Sequence, residues 1–233
     1  MRVKAKSEEP IQLYNENIED VDDFTYLGSK LSKDGNAESE IRVRIGKANH
    51  SFSMLRKTWK SKKIKLKTKL RIFKSNVMSV LLYGCESWKV TKGIAKKVDA
   101  FQRKCLRKIL GIFWPRRITN RRLYRKTSTR PISLEIKKRR WTWIGHLLRR
   151  PADHIARIAL RWTPDGRRKR GRPKESWRRT VARDMKEQGW TWAYLDRQAQ
   201  DRRQWFSLVD AFCTMDEDVG NLSEESIDMY DED

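Results

Sequence analysis

The apolar positions of this chain recur mostly at spacings of three and four residues, the period of one helix face. From Glu38 to Trp59, the residues Ile41, Ile45, Ala48, Phe52, Leu55 and Trp59 form one stripe, with Arg42, Arg44 and Lys47 off it. A second stripe runs through Leu70, Phe73, Val77, Leu81 and Gly84. A third, capped by Thr91, runs through Val98, Phe101, Cys105 and Ile109 and stops at Gly111, a residue suited to the left-handed C-cap. Gln102, Arg103, Lys104, Arg107 and Lys108 give that helix a basic face. Thr119 is placed to cap a short helix holding Leu123 and Tyr124, and Ser133 to start a longer one. On the longer helix Ile136, Arg140, Trp143 and Leu147 share a side, and Trp141, Ile144 and Leu148 widen its apolar surface. Gly145 leaves room there for another element to approach, and Arg149-Arg150-Pro151 ends the helix. Ile155, Ile158 and Ala159 mark a further helix, and Trp177, Val181 and Met185 another. Thr191 caps a last one through Leu195, Ala199, Trp205, Leu208, Val209 and Phe212.

Strand patterns are scarce. Residues 1–23 are polar and without a clear period. Phe24, Tyr26 and Leu27 favour strand, Gly28 favours a turn, and Lys33-Asp34-Gly35 is a second turn signal. The expected fold is therefore mostly α: a short N-terminal β-hairpin, a helical bundle and a basic helical C-terminal region.

Charge adds what periodicity cannot. The 233 residues carry a formal +24, and 36% of them are charged against the usual quarter. Folding does not require such a charge, and self-repulsion opposes it. A polyanionic partner explains it, nucleic acid first and an anionic membrane surface second. No apolar run approaches the roughly 18 residues of a membrane span, and the first residues lack the apolar core of a signal peptide. The expected location is intracellular, in nucleus or cytoplasm, with no membrane partner. From Met215 to Asp233 there are nine acids and no Lys or Arg, which reads as a disordered acidic tail. The rest holds 54 cations against 21 acids, a charge of +33.

Cys85, Cys105 and Cys213 are odd in number and widely spaced, as reduced thiols of an intracellular chain are. His50, His146 and His154 show no zinc-ligand spacing with them. No catalytic residue and no metal ligand is assigned. His146 as a general base would need an acid and a nucleophile beside it, which the sequence does not place.

Two segments concentrate the cations. Ser61–Lys69 contributes Lys62, Lys63, Lys65 and Lys67. After the turn Pro164-Asp165-Gly166 come Arg167, Arg168, Lys169, Arg170, Arg172 and Lys174, six cations in eight residues, with Arg178 on the helix that follows. These are the expected nucleic-acid-binding residues, acting through phosphates. The composition equally suits a solvated loop or a nuclear-localisation signal. Arg170-Gly171-Arg172-Pro173 also has the form of an AT-hook, which lays arginines in a narrow A·T minor groove. Ten tryptophans, several beside Arg or Lys, suit base stacking. Trp59, Trp143 and Trp205 read as core bulk, whereas Trp114 and Trp162 stay open between the two roles.

Several segments together resemble the C-terminal part of the reverse transcriptases of non-LTR (LINE-type) retrotransposons. Phe24, Tyr26, Leu27, Gly28 and Ser29 are similar to the segment that closes the family's palm. Leu82-Tyr83-Gly84-Cys85-Glu86-Ser87-Trp88 resembles its L-x-Y-G-x-E-x-W segment, and Ile118-Thr119-Asn120 with Leu123-Tyr124 its I-T-N-x-x-L-Y segment. Trp143, Gly145, His146, Leu147 and Arg149 follow W-x-G-H-L-x-R. Gly171-Arg172-Pro173 precedes a W-x3-V-x2-D helix at Trp177, Val181 and Asp184. The segments occur in the family's order, which is more specific than any one of them.

The resemblance implies four regions. Residues 1–35 would be a palm remnant with the hairpin, 36–112 a helical thumb-like domain, 113–213 a basic helical C-terminal domain, and 214–233 the acidic tail. It implies an RNA-directed DNA polymerase whose two divalent ions, Mg²⁺ in the full enzyme, sit on aspartates of an aromatic-Ala-Asp-Asp turn. That turn is absent from this sequence. Asp22-Asp23 lacks its lead-in and lies too close to the Tyr26-Leu27-Gly28 segment. This chain alone is expected to hold no cofactor and to be inactive, keeping surfaces that hold RNA or DNA, with the missing palm and fingers as a further partner. The alternatives are an AT-hook-like DNA-binding adaptor, or a translated transposon remnant without function.

Overall fold

The computed structural model describes residues 9–14, 16–26, 29–32, 37–162 and 176–214. The acidic tail, the run Arg167–Lys174 and both turns of the expected hairpin region lie outside these residues. The chain forms two compact units, Met1–Gly84 and Cys85–Asp233. The thumb-like span 36–112 runs across that division. The fold is mostly helical, as the pattern requires.

In the first unit, β1 (Gln12–Leu13) and β2 (Glu16–Asn17) make a tight antiparallel ladder that the polar sequence gave no sign of. The expected hairpin is β3 (Asp23–Tyr26) against β4 (Ser29–Ser32), with Phe24 opposite Leu31. α1 (Ala37–Met54) buries Ile41, Ala48 and Phe52 of the first stripe. Glu38 and Glu40 in its first turn suit the positive end of the helix dipole. Arg44, expected off the stripe, is buried. Glu40 sits one turn earlier and accepts from its Nε at 2.9 Å, and the Tyr83 ring lies 4.6 Å from its guanidinium. A buried charge persists only when paired in this way.

The first helix does not run unbroken to Trp59. Leu55 leaves helical geometry, and α2 (Arg56–Lys60) swings Trp59 back onto Phe52. Their rings stack at 5.0 Å, and the Trp59 indole N–H donates to the Phe52 carbonyl at 2.7 Å. α3 (Leu66–Ile72) starts inside the lysine-rich stretch Ser61–Lys69. Within it Lys69 is buried and donates its Nζ to the Trp59 carbonyl at 2.7 Å. The helix then passes through a π segment, Phe73–Met78, before α4 (Ser79–Leu81). Phe73, Val77, Met78 and Leu81 all face the core, with Phe73 edge-on to Phe52 at 6.1 Å.

In the second unit, a 3-10 turn at Cys85–Ser87 leads into α5 (Lys92–Leu110), α6 (Asn120–Thr127), α7 (Ile132–Leu148) and α8 (Ile155–Arg161). After these come α9 (Trp177–Glu187), α10 (Trp192–Gln200) and α11 over 202–214. Thr91, Thr119 and Thr191 each cap as expected, accepting from the N–H three residues on, and Gly111 takes the left-handed conformation at φ 68°. The last helix is broken at Asp201, whose carboxylate accepts from the N–H groups of Arg203 at 2.7 Å and Gln204 at 3.2 Å. Ser133 does not cap α7. It lies in the first turn and gives both its N–H and its Oγ to Asp99 of α5, at 2.9 and 2.8 Å. Gln102 of α5 accepts from the Ile132 N–H at 3.1 Å, so one helix caps the next.

The core of this unit gathers around α7. Trp141 is edge-on to Trp190 at 5.2 Å and to Phe212 at 6.0 Å. Its indole N–H donates to Asp184 at 2.9 Å, and Arg140, 2% exposed, holds its Nη1 at 3.6 Å from the same oxygen. Burial lifts the Asp184 carboxyl above its usual range, against the opposing hydrogen bond from Trp141, and lowers Arg140. Burial, with Glu86 adding, pushes the Cys85 thiol up to about 12, and burial does the same to Cys105, so both are inert near neutrality. Trp59 and Trp205 are core, as expected, but Trp143 is 40% exposed. It sits on the rim of α7, edge-on to Trp177 at 5.9 Å.

Gly145 is the point of closest approach. The Trp205 indole crosses it and donates to the Trp141 carbonyl at 3.0 Å, and a Cβ on Gly145 would collide with the indole nitrogen. Gly145→Ala is expected to cost about 3 kcal/mol in urea unfolding through overpacking. Gly46→Ala in α1, where a Cβ meets nothing within 4 Å, should instead stabilise by about 0.5–1 kcal/mol. Asp184→Ala would leave the buried Arg140 charge without its carboxylate and the Trp141 N–H without its acceptor, a loss of about 3–5 kcal/mol in the same assay.

Candidate nucleic-acid interface

In the first unit Lys62, Lys63, Lys65 and Lys67 are all exposed, on the loop after α2 and the first turn of α3. Their neighbour Lys69 is different: its bond to Trp59 ties the end of α2 to α3 across that loop. Cations at a helix N-terminus oppose the helix dipole. Helix stability therefore does not account for this lysine group.

In the second unit the cations divide into two populations. Those of α7 and α8 are largely bonded within the protein. Lys138 pairs with Asp210 at 2.6 Å, Arg139 with Glu135 at 2.9 Å, and Arg157 and Arg161 both pair with Asp196. Arg149 donates to the Ala199 carbonyl at 3.0 Å. Arg178, expected to touch nucleic acid, is half-buried and donates to the Ala159 carbonyl at 2.9 Å, which ties α9 to α8. His146 is exposed and stands 3.1 Å from the Arg150 guanidinium.

The second population lies on α5, α6 and the loop joining them. Between Asp99 and Glu135 the sequence holds eleven Lys and Arg and no acid. Lys104, Lys108, Arg116, Arg117, Arg122, Arg125 and Lys126 are exposed there. Apart from the basic face of α5, no short run in the sequence marks this group. The missing acids over that span were the signal. Arg107 is spent on structure, donating to the Ile118 carbonyl at 3.2 Å and to Asn120 Oδ1 at 2.9 Å.

The other predicted binding residues, Arg167, Arg168, Lys169, Arg170, Arg172 and Lys174, lie outside the described residues. Asp22 and Asp23 are exposed at the start of the β3–β4 hairpin. Among the described residues no group of His, Cys, Asp and Glu is arranged to hold a metal ion. No helix among them is long and apolar enough to cross a membrane.

Three of the family-like segments, around Glu86–Trp88, Trp141–Gly145 and Trp177–Asp184, meet inside the second unit. The Glu86 carbonyl accepts from the Trp177 indole at 2.7 Å, and the Trp88 carbonyl lies 3.5 Å from Arg140 Nη2. Asp184 takes Trp141, and Trp143 meets Trp177. Their roles are architectural, while the exposed cations surround them in sequence.

Comparison with known proteins gives two likenesses. A family described as a domain of unknown function, DUF6451, matches residues 51–83, the stretch from the end of α1 through α4 that carries the Trp59–Lys69 tie and the lysine loop. No solved structure matches the chain. A Caenorhabditis elegans protein named as uncharacterized and transposon-derived is 27% identical over 204 residues, covering 82% of this chain and 71% of that protein. Over most of its length this chain is thus similar to a transposon-derived protein, which agrees with a transposon-related origin.

Proposed function

We propose that this chain is a retrotransposon reverse-transcriptase fragment that holds nucleic acid through phosphate contacts and does not itself polymerise. The observation that supports this reading most is the order of the family-like segments, with those around Glu86–Trp88, Trp141–Gly145 and Trp177–Asp184 in contact with one another. A transposon-derived relative over most of the chain adds to it. Cations left exposed on the lysine loop and on α5–α6, in a protein of +24, favour a polyanion as what is held.

The full chain titrated against oligo(U) RNA and duplex DNA should lose affinity steeply with salt. With roughly six phosphates engaged, the loss is about a thousandfold between 50 and 200 mM salt. Replacing Lys62, Lys63, Lys65 and Lys67 by Gln should flatten that slope by about one for each contact removed. A salt-independent affinity would overturn the proposal. A clear preference for A·T-rich over G·C-rich duplex would favour the AT-hook reading instead.

With primed template, dNTPs and Mg²⁺ or Mn²⁺, the chain is expected to incorporate no nucleotide. Incorporation that Asp22→Ala plus Asp23→Ala abolishes would show that the hairpin carboxylates hold catalytic metal after all.

A further inference from the structure

The loop between α5 and α6 carries the most exposed tryptophan among the described residues. Trp114 is 83% exposed and the adjacent Phe113 61%. Pro115, Arg116 and Arg117 are exposed beside them. Burial of a Trp is a large favourable term, so an indole held out in water is not there for folding. The surrounding surface is cationic, with Lys104 and Lys108 on the helix before and Arg122, Arg125 and Lys126 on the helix after.

The loop is also held in place. Gly111 turns the chain out of α5, and the Ile112 N–H returns to the Arg107 carbonyl at 2.9 Å. The Arg107 guanidinium then clamps the far end, through the Ile118 carbonyl and Asn120. Within the tip, the Arg116 N–H donates to the Phe113 carbonyl at 2.9 Å, closing a turn that presents both rings. A fixed pair of rings flanked by guanidinium groups has the two components that bind an unpaired strand: a surface for a base and charge for its phosphates. A duplex hides its base faces and could use only the charge.

We infer that the Phe113–Trp114 tip is a base-stacking site for single-stranded nucleic acid, with Arg116 and Arg117 on the adjoining phosphates. This deepens the proposed function and rests on it. It also assigns Trp114 the stacking role that the sequence left open. An apolar docking surface for another protein would not call for a surround of cations without an acid between residues 99 and 135.

The test uses the full chain with labelled oligo(dT) and a duplex of the same length at fixed salt. Trp114→Ala should weaken oligo(dT) binding about tenfold, the size of one base–aromatic stack. Duplex affinity should change by less than about twofold, and the salt slope should stay the same. Trp114→Phe should restore most of the loss. Arg116→Ala plus Arg117→Ala should instead flatten the salt slope on both ligands. Equal losses on both ligands for Trp114→Ala, or none on oligo(dT), would overturn the stacking site while leaving phosphate binding intact. Failure of the unaltered chain to bind either ligand would overturn the proposed function, and this inference with it. Because Trp114 is so exposed, its substitution is expected to leave unfolding by urea unchanged.

Discussion

An arginine removed almost wholly from water is costly unless its charge is answered, and Arg140 sets that condition for the second unit. Its answer comes from Asp184, on a helix more than forty residues away, which also accepts from the neighbouring Trp141. The pair can form only if α9 lies across α7. Trp190, Phe212 and Trp205 then close around the indole that shares the carboxylate. A purely apolar core of the same volume could be equally stable. The ionic group links α7 to α9, because Asp184 answers both the Arg140 charge and the Trp141 N–H.

The two units use buried cations in the same way. Lys69 is spent on a backbone carbonyl and Arg44 on Glu40 and Tyr83. In a chain this basic, charge alone is therefore a poor guide to the surface. Arg178 and Arg107 are both cationic and both largely structural. Lys62 and Lys104, by contrast, stand in solvent. The useful distinction is whether a carbonyl or carboxylate lies within reach.

Helix content, most caps and the close approach at Gly145 were legible because each rests on local chemistry: a period, a hydroxyl before a helix, a missing Cβ. The break at Leu55, the early start of α3 and the capping of Ile132 by Gln102 were not. Each depends on a partner distant along the chain, such as the Trp59 carbonyl for Lys69 or the start of α7 for Gln102. The same limit explains the candidate site. The run at Arg167–Lys174 is dense along the chain, while the cations of α5 and α6 are dispersed at helical spacings and gather only once the two helices pack. Trp114 could not be told from core bulk until its exposure was known.

The π segment Phe73–Met78 has a consequence for register. A π turn takes one residue more than an α turn, so it absorbs a surplus residue while the helix on either side keeps its face to the core. It is the helical counterpart of a β-bulge. Loss of one residue within 73–78 would restore an ordinary α-helix with Leu81 still inward. The same loss in the middle of α5 would turn half of its apolar stripe by about 100°. A one-residue gap against a related sequence is thus tolerable at this point of the 51–83 stretch, and damaging in the long uninterrupted helices.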